Sequence, residues 1–431
     1  MVKYIIRRVY LLLLTMIIVS IVVFLITEAS PGNVARKILG PFVTTEQATS
    51  FLAQNGLDKP VYLRYFLWLF GSDWYAEQKS SLNLKRIVTS GGFQEWWAVG
   101  KQGNLQHWDL QEGNLVTVTR LSDKEVERRM DNSQWLTRQE GERDFWGVDN
   151  ANHVVLWIKD GQKQSWTFNQ GSWAKQNDAP VEYIPLQKGF IRGDPGLSLR
   201  TGRPVARTVT IMLRNSMILA SIAFVVAMPI AILLGILAGI KEGSRQDRTL
   251  SIIGLAFAVI PEFVTGVFLI LIFSIWLEWL PGAVVFGDLN PWNRLDMLVL
   301  PVLTLALVEI GYVLRITRAS MVEVMRSAYI RTAVLNGIPY WKVIFGYAVR
   351  NAIIAPITIV MLHFNWLLGG IVVVEYVFGY PGLGKYLLDA ALMRDINAIV
   401  AGSMIMVVVA VTTQLIADIV YPLLNPRIRY K

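Results

Sequence analysis

Six apolar segments of 18 to 29 residues dominate the amino-acid sequence. Four contain no charged residue and two are each interrupted by one glutamate; they cover residues 9–27, 215–240, 249–277, 297–314, 351–374 and 396–417. A helix needs about 20 apolar residues to cross the ~30 Å hydrocarbon core of a bilayer, because unpaired backbone groups find no hydrogen-bonding partner there. The pattern therefore predicts an all-α polytopic membrane protein with six transmembrane helices.

The basic residues gather in alternate connections between these segments. With a cytoplasmic N-terminus, the inner connections and both termini hold 15 lysines and arginines, and the short outer loops hold three. The positive-inside rule then predicts that both termini are cytoplasmic. A nucleic-acid partner is not expected, because the positive charge would then gather on one soluble face. The first segment also has the basic start of a signal peptide, but its 19 uncharged residues exceed the usual ~7–15, so we expect it to be retained.

Cysteine is absent and histidine occurs three times among the 431 residues. Disulfides, thiolate metal sites and cysteine nucleophiles are therefore excluded, and a histidine-based metal site is not expected. The sequence predicts no catalytic, cofactor-binding or metal-binding residue.

Residues 72–192 differ from the rest of the chain. They are nearly neutral, with 15 basic and 16 acidic residues, and they contain nine of the 15 tryptophans. Short β-branched and aromatic runs alternate with glycine-containing turn signals. We predict a small β-rich extracytoplasmic domain inserted between helices 1 and 2, with a short helix near 123–132, between an N-terminal part (1–71) and a helical core (193–431). Most of its tryptophans are expected in a core, although exposed ones could stack on sugars or bind partners.

The connection at residues 315–350 is the most informative inner segment. Residues 319–335 lack glycine and proline and predict one continuous helix, which Gly337 and Pro339 then terminate. Such a basic helix could lie on anionic lipid or could dock onto a cytoplasmic partner.

Tyr329-Ile-Arg-Thr-Ala333, followed by Gly337, resembles the EAA loop of bacterial ABC import permeases, and more narrowly the first permease subunit of dipeptide/oligopeptide importers. Motifs elsewhere fit the same family in the same order: Tyr4-Ile-Ile-Arg-Arg8, Gly56-Leu-Asp-Lys-Pro60 with Arg64-Tyr65, Gly193-Asp-Pro-Gly-Leu-Ser198, Val374-Glu375 and Pro381-Gly-Leu-Gly384. The resemblance covers nearly all of residues 1–71 and 193–431, whereas typical members lack residues 72–192.

This resemblance implies the type I importer permease fold in a bacterial inner membrane. It implies a second homologous permease, two cytoplasmic ATPase subunits carrying ATP and Mg²⁺, an extracytoplasmic solute-binding protein and surrounding membrane lipid. The chain itself would be no enzyme and would hold no cofactor. The inner loop would transmit ATPase closure through a rigid short helix, with small residues allowing close approach. Its expected contact residues are Glu323, Ala328, Tyr329, Arg331, Thr332, Ala333, Asn336, Gly337 and Ile338.

Four polar residues fall inside apolar segments: Glu262, Glu309, His363 and Asn365. Charges at membrane depth cost at least ~2.5–3.5 kcal/mol on insertion scales and usually face a pathway or a partner group. These residues are candidates for the translocation pathway, with interhelical hydrogen bonding as the alternative. Acidic side chains here would favour a cationic or amine-bearing substrate.

Gly379-Tyr-Pro-Gly-Leu-Gly-Lys385 matches the phosphate-binding pattern G-x-x-x-x-G-K, but the match is misleading. A phosphate-binding loop continues with Ser or Thr and follows a soluble strand, whereas Tyr386 follows here and an apolar segment precedes. No nucleotide site is therefore expected in this chain.

The leading hypothesis is a permease subunit of an ATP-driven importer of peptides. Oligosaccharides or nickel complexes are alternative substrates within the same family. Two other classes stay open: an ion-coupled secondary transporter, for which no inverted repeat stands out, and a membrane-anchored sensor or enzyme acting through the β-rich domain.

Overall fold

The chain divides into two compact units in the computed structural model. Residues 2–29, 34–89, 94–111, 114–121, 126–130, 144–159, 162–163, 166–169, 172–175, 182–285 and 290–424 are described. The first unit comprises Met1–Val19, Val209–Asp389 and Met404–Lys431, and the second comprises Ser20–Thr208 and Ala390–Ser403.

Helices form at most of the apolar segments for which the sequence predicts transmembrane helices. Their bounds are α1 Val2–Ala29, α2 Val34–Leu39, α3 Thr45–Gln54, α4 Val61–Phe70, α5 Asp73–Ser80, α6 Val205–Ile240, α7 Arg245–Val259, α8 Glu262–Leu269, α9 Val299–Met325, α10 Ala328–Leu335, α11 Tyr340–Lys342, α12 Val349–Ala352, α13 Ile354–Val377, α14 Leu383–Met393 and α15 Ile396–Leu424. Among the described residues, four helices are long and apolar enough to cross a membrane, and the number rises to six if each of two bent pairs counts as one span.

One bent pair replaces the continuous helix predicted over residues 249–277. The chain turns by 106° between Arg245–Val259 and Glu262–Trp276. Ile260 is extended and Pro261 begins the next segment, so the missing proline N–H interrupts the helical ladder. Residues Ile270–Trp276 then continue as a π-helix. The second pair bends by 42° between Tyr340–Ala352 and Ile354–Val360.

Small residues allow the helices of the first unit to approach closely. A Cβ atom added at Gly311 of α9 would lie 2.8 Å from the backbone nitrogen of Ala258 in α7. One at Gly239 of α6 would lie 2.6 Å from the Cβ of Met321. Such backbone contact is how helices pack in lipid, where apolar burial gives little driving force.

The β-strands of the described residues lie between Leu84 and Pro185, in the second unit. Strands β1 Leu84–Val88, β2 Gln94–Val99, β3 Leu105–Gln111, β4 Asn114–Arg120 and β5 Val126–Met130 form an antiparallel sheet in sequential order. A second sheet has the order β11 Tyr183–Pro185, β7 His153–Lys159, β6 Phe145–Val148, with β8 Gln162–Lys163 paired to β7. A separate hairpin joins β9 Trp166–Asn169 to β10 Ser172–Lys175.

The helix predicted near 123–132 is wrong in its described part. Residues Val126–Met130 form a strand, in which Arg128 pairs with Val118 and Val126 with Arg120. Strand β4 pairs with these residues and stabilises the extended conformation over the helix. The local sequence of 123–132 does not reveal this pairing. The remainder of 123–132 lies outside the described residues.

An aromatic core fills the β-rich part. Trp96, Trp97, Trp108 and Trp157 are each no more than 5% exposed, and the ring of Trp108 meets that of Phe145 edge to face at 5.8 Å. The expectation that most tryptophans are core residues is therefore confirmed for these four. Trp74 is 48% exposed, and the side chains of Trp135, Trp166 and Trp173 lie outside the described residues.

Candidate functional site

The predicted coupling segment contains a short helix that is separate from the preceding long one. The continuous helix predicted over 319–335 is wrong, because α9 ends at Met325 and α10 begins at Ala328. Ser327 is extended between them and donates both its backbone N–H and its hydroxyl to the carbonyl of Val324. A serine that satisfies the backbone in this way competes with helix continuation.

A glycine cap ends α10 as the sequence predicts. Gly337 has φ +73°, and its N–H donates to the carbonyl of Val334. The N–H of Ile338 donates to the carbonyl of Ala333. This pair of hydrogen bonds is the Schellman motif, which favours glycine at the left-handed position. A Cβ atom added at Gly337 would meet no atom within 4 Å, so only the backbone conformation requires the glycine.

The inner side of α10 is fixed to its own subunit. Ile330 and Ala333, three residues apart, are 2% and 5% exposed and pack in a cluster with Met321, Val343 and Ile344. Ala333 therefore provides close approach within this chain, whereas the sequence predicted a contact with a partner. Ile338 is half-buried against the same cluster.

The outer side presents the remaining predicted contact residues to the surroundings. These exposed residues are Glu323, Ala328, Tyr329, Arg331, Thr332, Asn336 and Gly337. Sequence reasoning did not single out the apolar members of this surface. Leu335 is 78% exposed and Trp341 is 68% exposed, and the ring of Trp341 stacks on Phe345 at 5.8 Å. We call Tyr329, Arg331, Leu335, Asn336 and Trp341 the coupling surface. The sequence did indicate an apolar part of this surface. The aromatic pair Tyr340-Trp341 lies in a connection that is otherwise rich in arginine and lysine.

Two ion pairs connect the C-terminal part of α9 to Asp247 in the first turn of α7 and to Glu242 in the connection that precedes α7. The guanidinium of Arg318 donates to both carboxylate oxygens of Asp247, with 2.8 Å between Nη2 and Oδ2. Arg326 Nη2 donates to Glu242 Oε1 at 2.7 Å. Bidentate arginine–carboxylate pairs fix orientation as well as distance. The segment carrying α10 is thus braced at its start.

The predicted pathway residues are distributed over three helices, α8, α9 and α13. Glu309 is 1% exposed within α9, whereas Glu262 is half-buried at the start of α8. A Cβ atom added at Gly370 of α13 would lie 3.4 Å from Glu262 Oε1. His363 and Asn365 belong to α13, but their side chains lie outside the described residues. An apolar cavity of about 630 Å³ elsewhere in this unit includes Met217, Val360 and Val409 in its lining, but neither glutamate.

The glycine-rich loop at 379–385 binds a carboxylate of its own chain. Glu375 Oε2 accepts a hydrogen bond of 3.0 Å from the backbone N–H of Lys385, and Ser216 donates to Oε1. Ser216 in turn accepts the N–H of Leu383 at 2.8 Å. These N–H groups belong to the N-terminal turn of α14, where an anion is stabilised. An internal carboxylate therefore occupies the position that a phosphate would need.

Comparison with known proteins identifies the helical body. A family described as "Binding-protein-dependent transport system inner membrane component" matches residues 231–430, and its N-terminal region matches residues 1–80. The oligopeptide transport system permease protein AppB of Bacillus subtilis is 36% identical over 257 residues, which are 58% of this chain and 80% of that protein. The chain belongs to this family. It is a permease subunit of an ABC importer and an inner membrane component.

Two other relatives of this permease are also named as transport permeases. The glutathione transport system permease protein GsiC of Shigella flexneri is 36% identical over 56% of this chain and 76% of that protein. A putative peptide transport system permease protein of Brucella abortus is 35% identical over 55% and 76%, respectively. The crystal structure of an amino acid ABC transporter is similar over 50% of this chain and 93% of that one, at 15% identity and a TM-score of 0.40.

The described strands lie outside both family matches. They fall between Leu84 and Pro185, inside the interval 81–230 that neither match covers. The family relationship therefore rests on the N-terminal region and the helical core.

Proposed function

We propose that this permease subunit forms one half of the channel of an ATP-driven peptide importer. Each bent pair would count as one span, giving six spans with both termini in the cytoplasm and the β-rich domain on the outer side. An extracytoplasmic binding protein would deliver the solute, and a second permease would complete the channel. The names of the relatives favour peptides, while oligosaccharides and nickel complexes are alternatives within the family.

The observation that carries this proposal is the two-sided packing of α10. Ile330 and Ala333 hold the helix on its own subunit, and Tyr329, Arg331 and Leu335 are exposed on the other side. Because one face of α10 is packed against its own subunit, a displacement imposed on its exposed face moves the helix and the packed residues together. Exposed aromatic, arginine and leucine side chains are suited to a protein partner, because they supply apolar area and a multivalent donor.

ATP and Mg²⁺ would bind to two cytoplasmic ATPase subunits that receive the coupling surface. Closure of the ATPases on ATP would then displace α10 and, through the braced end of α9, tilt the spanning helices. The chain itself would hold no nucleotide, since Glu375 already occupies the backbone donors of its glycine-rich loop.

Reversing the charge of Arg331 tests this coupling. We expect Arg331→Glu to reduce solute uptake by about 30- to 150-fold, because losing a charged contact at a protein interface costs about 2–3 kcal/mol. Gly337→Val should act in the same direction, since a β-branched residue at φ +73° strains the cap. Uptake and ATPase co-purification are measured in membranes that contain all subunits.

Arg245→Glu is the matched control, because Arg245 is exposed at the start of α7, on the same proposed side of the membrane. It should keep uptake and co-purification near wild-type levels. Full uptake by Arg331→Glu and Gly337→Val would refute the coupling role. Uptake driven by a proton gradient in liposomes without ATPase subunits would favour a secondary transporter instead.

The two membrane glutamates are proposed to have different roles. Glu309 is enclosed within this subunit, which favours a structural role. Glu262 is only half-buried, so its carboxylate can contact a solute in the pathway. We expect Glu262→Gln to reduce the preference for amine-bearing over neutral solutes. Glu309→Gln should lower the melting temperature without changing that preference. Competition uptake assays and thermal unfolding measure the two effects, and an unchanged solute preference in Glu262→Gln would contradict the assignment.

A further inference from the structure

A small cavity lies within the second unit. Its volume is about 100 Å³. The end of α1 contributes Phe24 and Glu28, and the segment leading into α4 contributes Lys59, Arg64 and Trp68. Residues 151–153 and 185–187 of the β-rich part complete the wall together with 196–197 and 396–397.

Four polar atoms on residues that line this cavity are buried without a hydrogen-bond partner among the described residues: Glu28 Oε1, Lys59 Nζ, Arg64 Nε and Trp68 Nε1. Buried polar groups are almost always paired, and leaving one unpaired costs about 1–3 kcal/mol. Three donors and one acceptor that converge on one cavity therefore indicate a polar occupant.

Neighbouring contacts hold these groups in place. Arg64 Nη2 donates to Glu28 Oε2, and Ser20 Oγ lies 2.7 Å from the hydroxyl of Tyr65. The ring of Trp68 stacks on Phe190 with 5.0 Å between centroids. The cavity groups are thus positioned before any ligand arrives.

The β-rich insertion supplies an opposing wall. Gly56 has φ +65°, and a Cβ atom there would lie 3.2 Å from the ring of Pro185. Asn152 donates to the carbonyl of Gln94 and accepts the N–H of Trp96 at 2.9 Å, which fixes the turn that closes the cavity. Residues 56–60 and 193–198, which carried part of the family resemblance, meet the insertion here.

The charge of the lining selects the ligand. Lys59 and Arg64 are cationic and Glu28 is anionic, so the three side chains carry a formal charge of +1. An apolar cavity of ~150 Å³ holds benzene, so this one has room for a few heavy atoms but not for a whole oligopeptide. We propose that the cavity binds a small carboxylate, whose oxygens accept from Lys59, Arg64 and Trp68 and whose adjacent N–H donates to Glu28. A free amino acid and the end of a longer peptide share this chemistry.

The environment of Lys59 supports an anionic ligand. Burial lowers the pKa of Lys59 below its ordinary value, against the opposing effect of Glu182 and Asp58, while Lys79 adds to the lowering. Its Nζ lies 5.5 Å from the ring centroid of Tyr75, and no carboxylate contact is found among the described residues. A bound carboxylate would compensate the desolvated ammonium group.

Binding of diglycine to the full-length permease complex in lipid nanodiscs, without ATP or binding protein, tests the inference. Wild type should bind radiolabelled diglycine at least about tenfold tighter than diglycinamide, since a charged carboxylate accepts stronger hydrogen bonds than a neutral amide. Lys59→Met should lose about tenfold in diglycine affinity, and Trp68→Phe should lose less. Lys85→Met is the matched control, because Lys85 is an exposed lysine of the same unit and should leave affinity unchanged.

Thermal unfolding separates binding from folding. Lys59→Met should melt at or above the wild-type temperature without ligand, because it removes a buried charge that lacks a counter-ion. Diglycine should raise the melting temperature of wild type and not of this variant. Competition by acetate as strong as that by unlabelled diglycine would mean that any small carboxylate is accepted, and competition by diglycine alone would assign the site to peptide ends.

Equal affinity for diglycine and diglycinamide, or unchanged diglycine binding by Lys59→Met, would overturn the inference and leave a cavity filled by water. The inference does not depend on the coupling role. Arg331→Glu should retain diglycine binding even when it stops transport.

Discussion

In the helical unit, large apolar side chains of the spanning helices remain exposed, whereas the β-rich part of the second unit encloses its aromatic side chains. Val225 and Ile252 are each 68% exposed, while Trp96 and Trp108 are at most 5% exposed. Extensive exposed apolar surface on a soluble domain would drive association. The helical part therefore suits a lipid environment, whereas the β-rich part buries its aromatic side chains within itself.

Individual buried polar groups of the two units also differ in how they are paired. In the helical unit Glu375 has partners on Ser216 and on the backbone of Lys385. In the second unit Lys59 Nζ and Trp68 Nε1 are buried without a partner among the described residues. A paired buried group stabilises the fold, whereas the unpaired atoms around the cavity of the second unit are the basis of the proposed carboxylate site.

The largest loss of stability should follow a substitution in the aromatic core of the β-rich part. Trp108→Ala is expected to destabilise the β-rich part by about 3–5 kcal/mol, since it leaves a cavity beside Phe145. Leu233→Ala is the control, because Leu233 is 57% exposed on α6 and should face lipid. Limited proteolysis and thermal unfolding of the full-length protein measure both. Equal losses for the two variants would mean that the two parts do not differ in how they bury apolar groups.

A smaller effect is expected at the close helix contact in the first unit. Gly311→Ala places a Cβ atom 2.8 Å from the Ala258 nitrogen and should cost about 1–3 kcal/mol as overpacking. Gly346→Ala should cost little, because a Cβ atom there meets nothing within 4 Å. Thermal unfolding in detergent compares them. A wild-type melting temperature for Gly311→Ala would show that α7 and α9 can separate without penalty.

The smallest effect should be the pH response of the β-rich part. Burial lowers the pKa of His107 below its usual 6.5, outweighing the attraction of Asp109, Asp149 and Glu95, and Arg128 lowers it further. The unfolded chain therefore binds the proton more readily, and stability falls as the pH drops below about 6.5 towards the folded pKa. Unfolding measured at about pH 8 and about pH 5 should show this loss, and His107→Gln should reduce it. An identical pH profile in the variant would assign the loss to other groups.

Sequence reasoning succeeded where one local pattern decides the outcome. Apolar length predicted spanning helices, and Gly337 with Pro339 predicted the end of α10, because a left-handed cap needs glycine. It was wrong where a distant or unusual partner competes with the local preference. Ser327 breaks the helix expected over 319–335, and strand β4 recruits Val126–Met130 from a predicted helix.

The candidate sites divide in the same way. The sequence predicted Arg331, Thr332 and Asn336 as contact residues. The inward position of Ala333 and the exposure of Trp341 depend on how α10 packs. The grouping of Glu28, Lys59, Arg64 and Trp68 around one cavity had no signal in the sequence, since the insertion that walls it is far away along the chain.

By itself, the sequence determined that this protein crosses a membrane and belongs among importer permeases, because apolar run length and short motifs are local properties of the chain. Only the tertiary structure decided which face of the coupling helix is free, where the third span bends, and which buried charges meet. Those outcomes depend on contacts between residues far apart in the chain, and the energy of such contacts is set by geometry that no local pattern encodes.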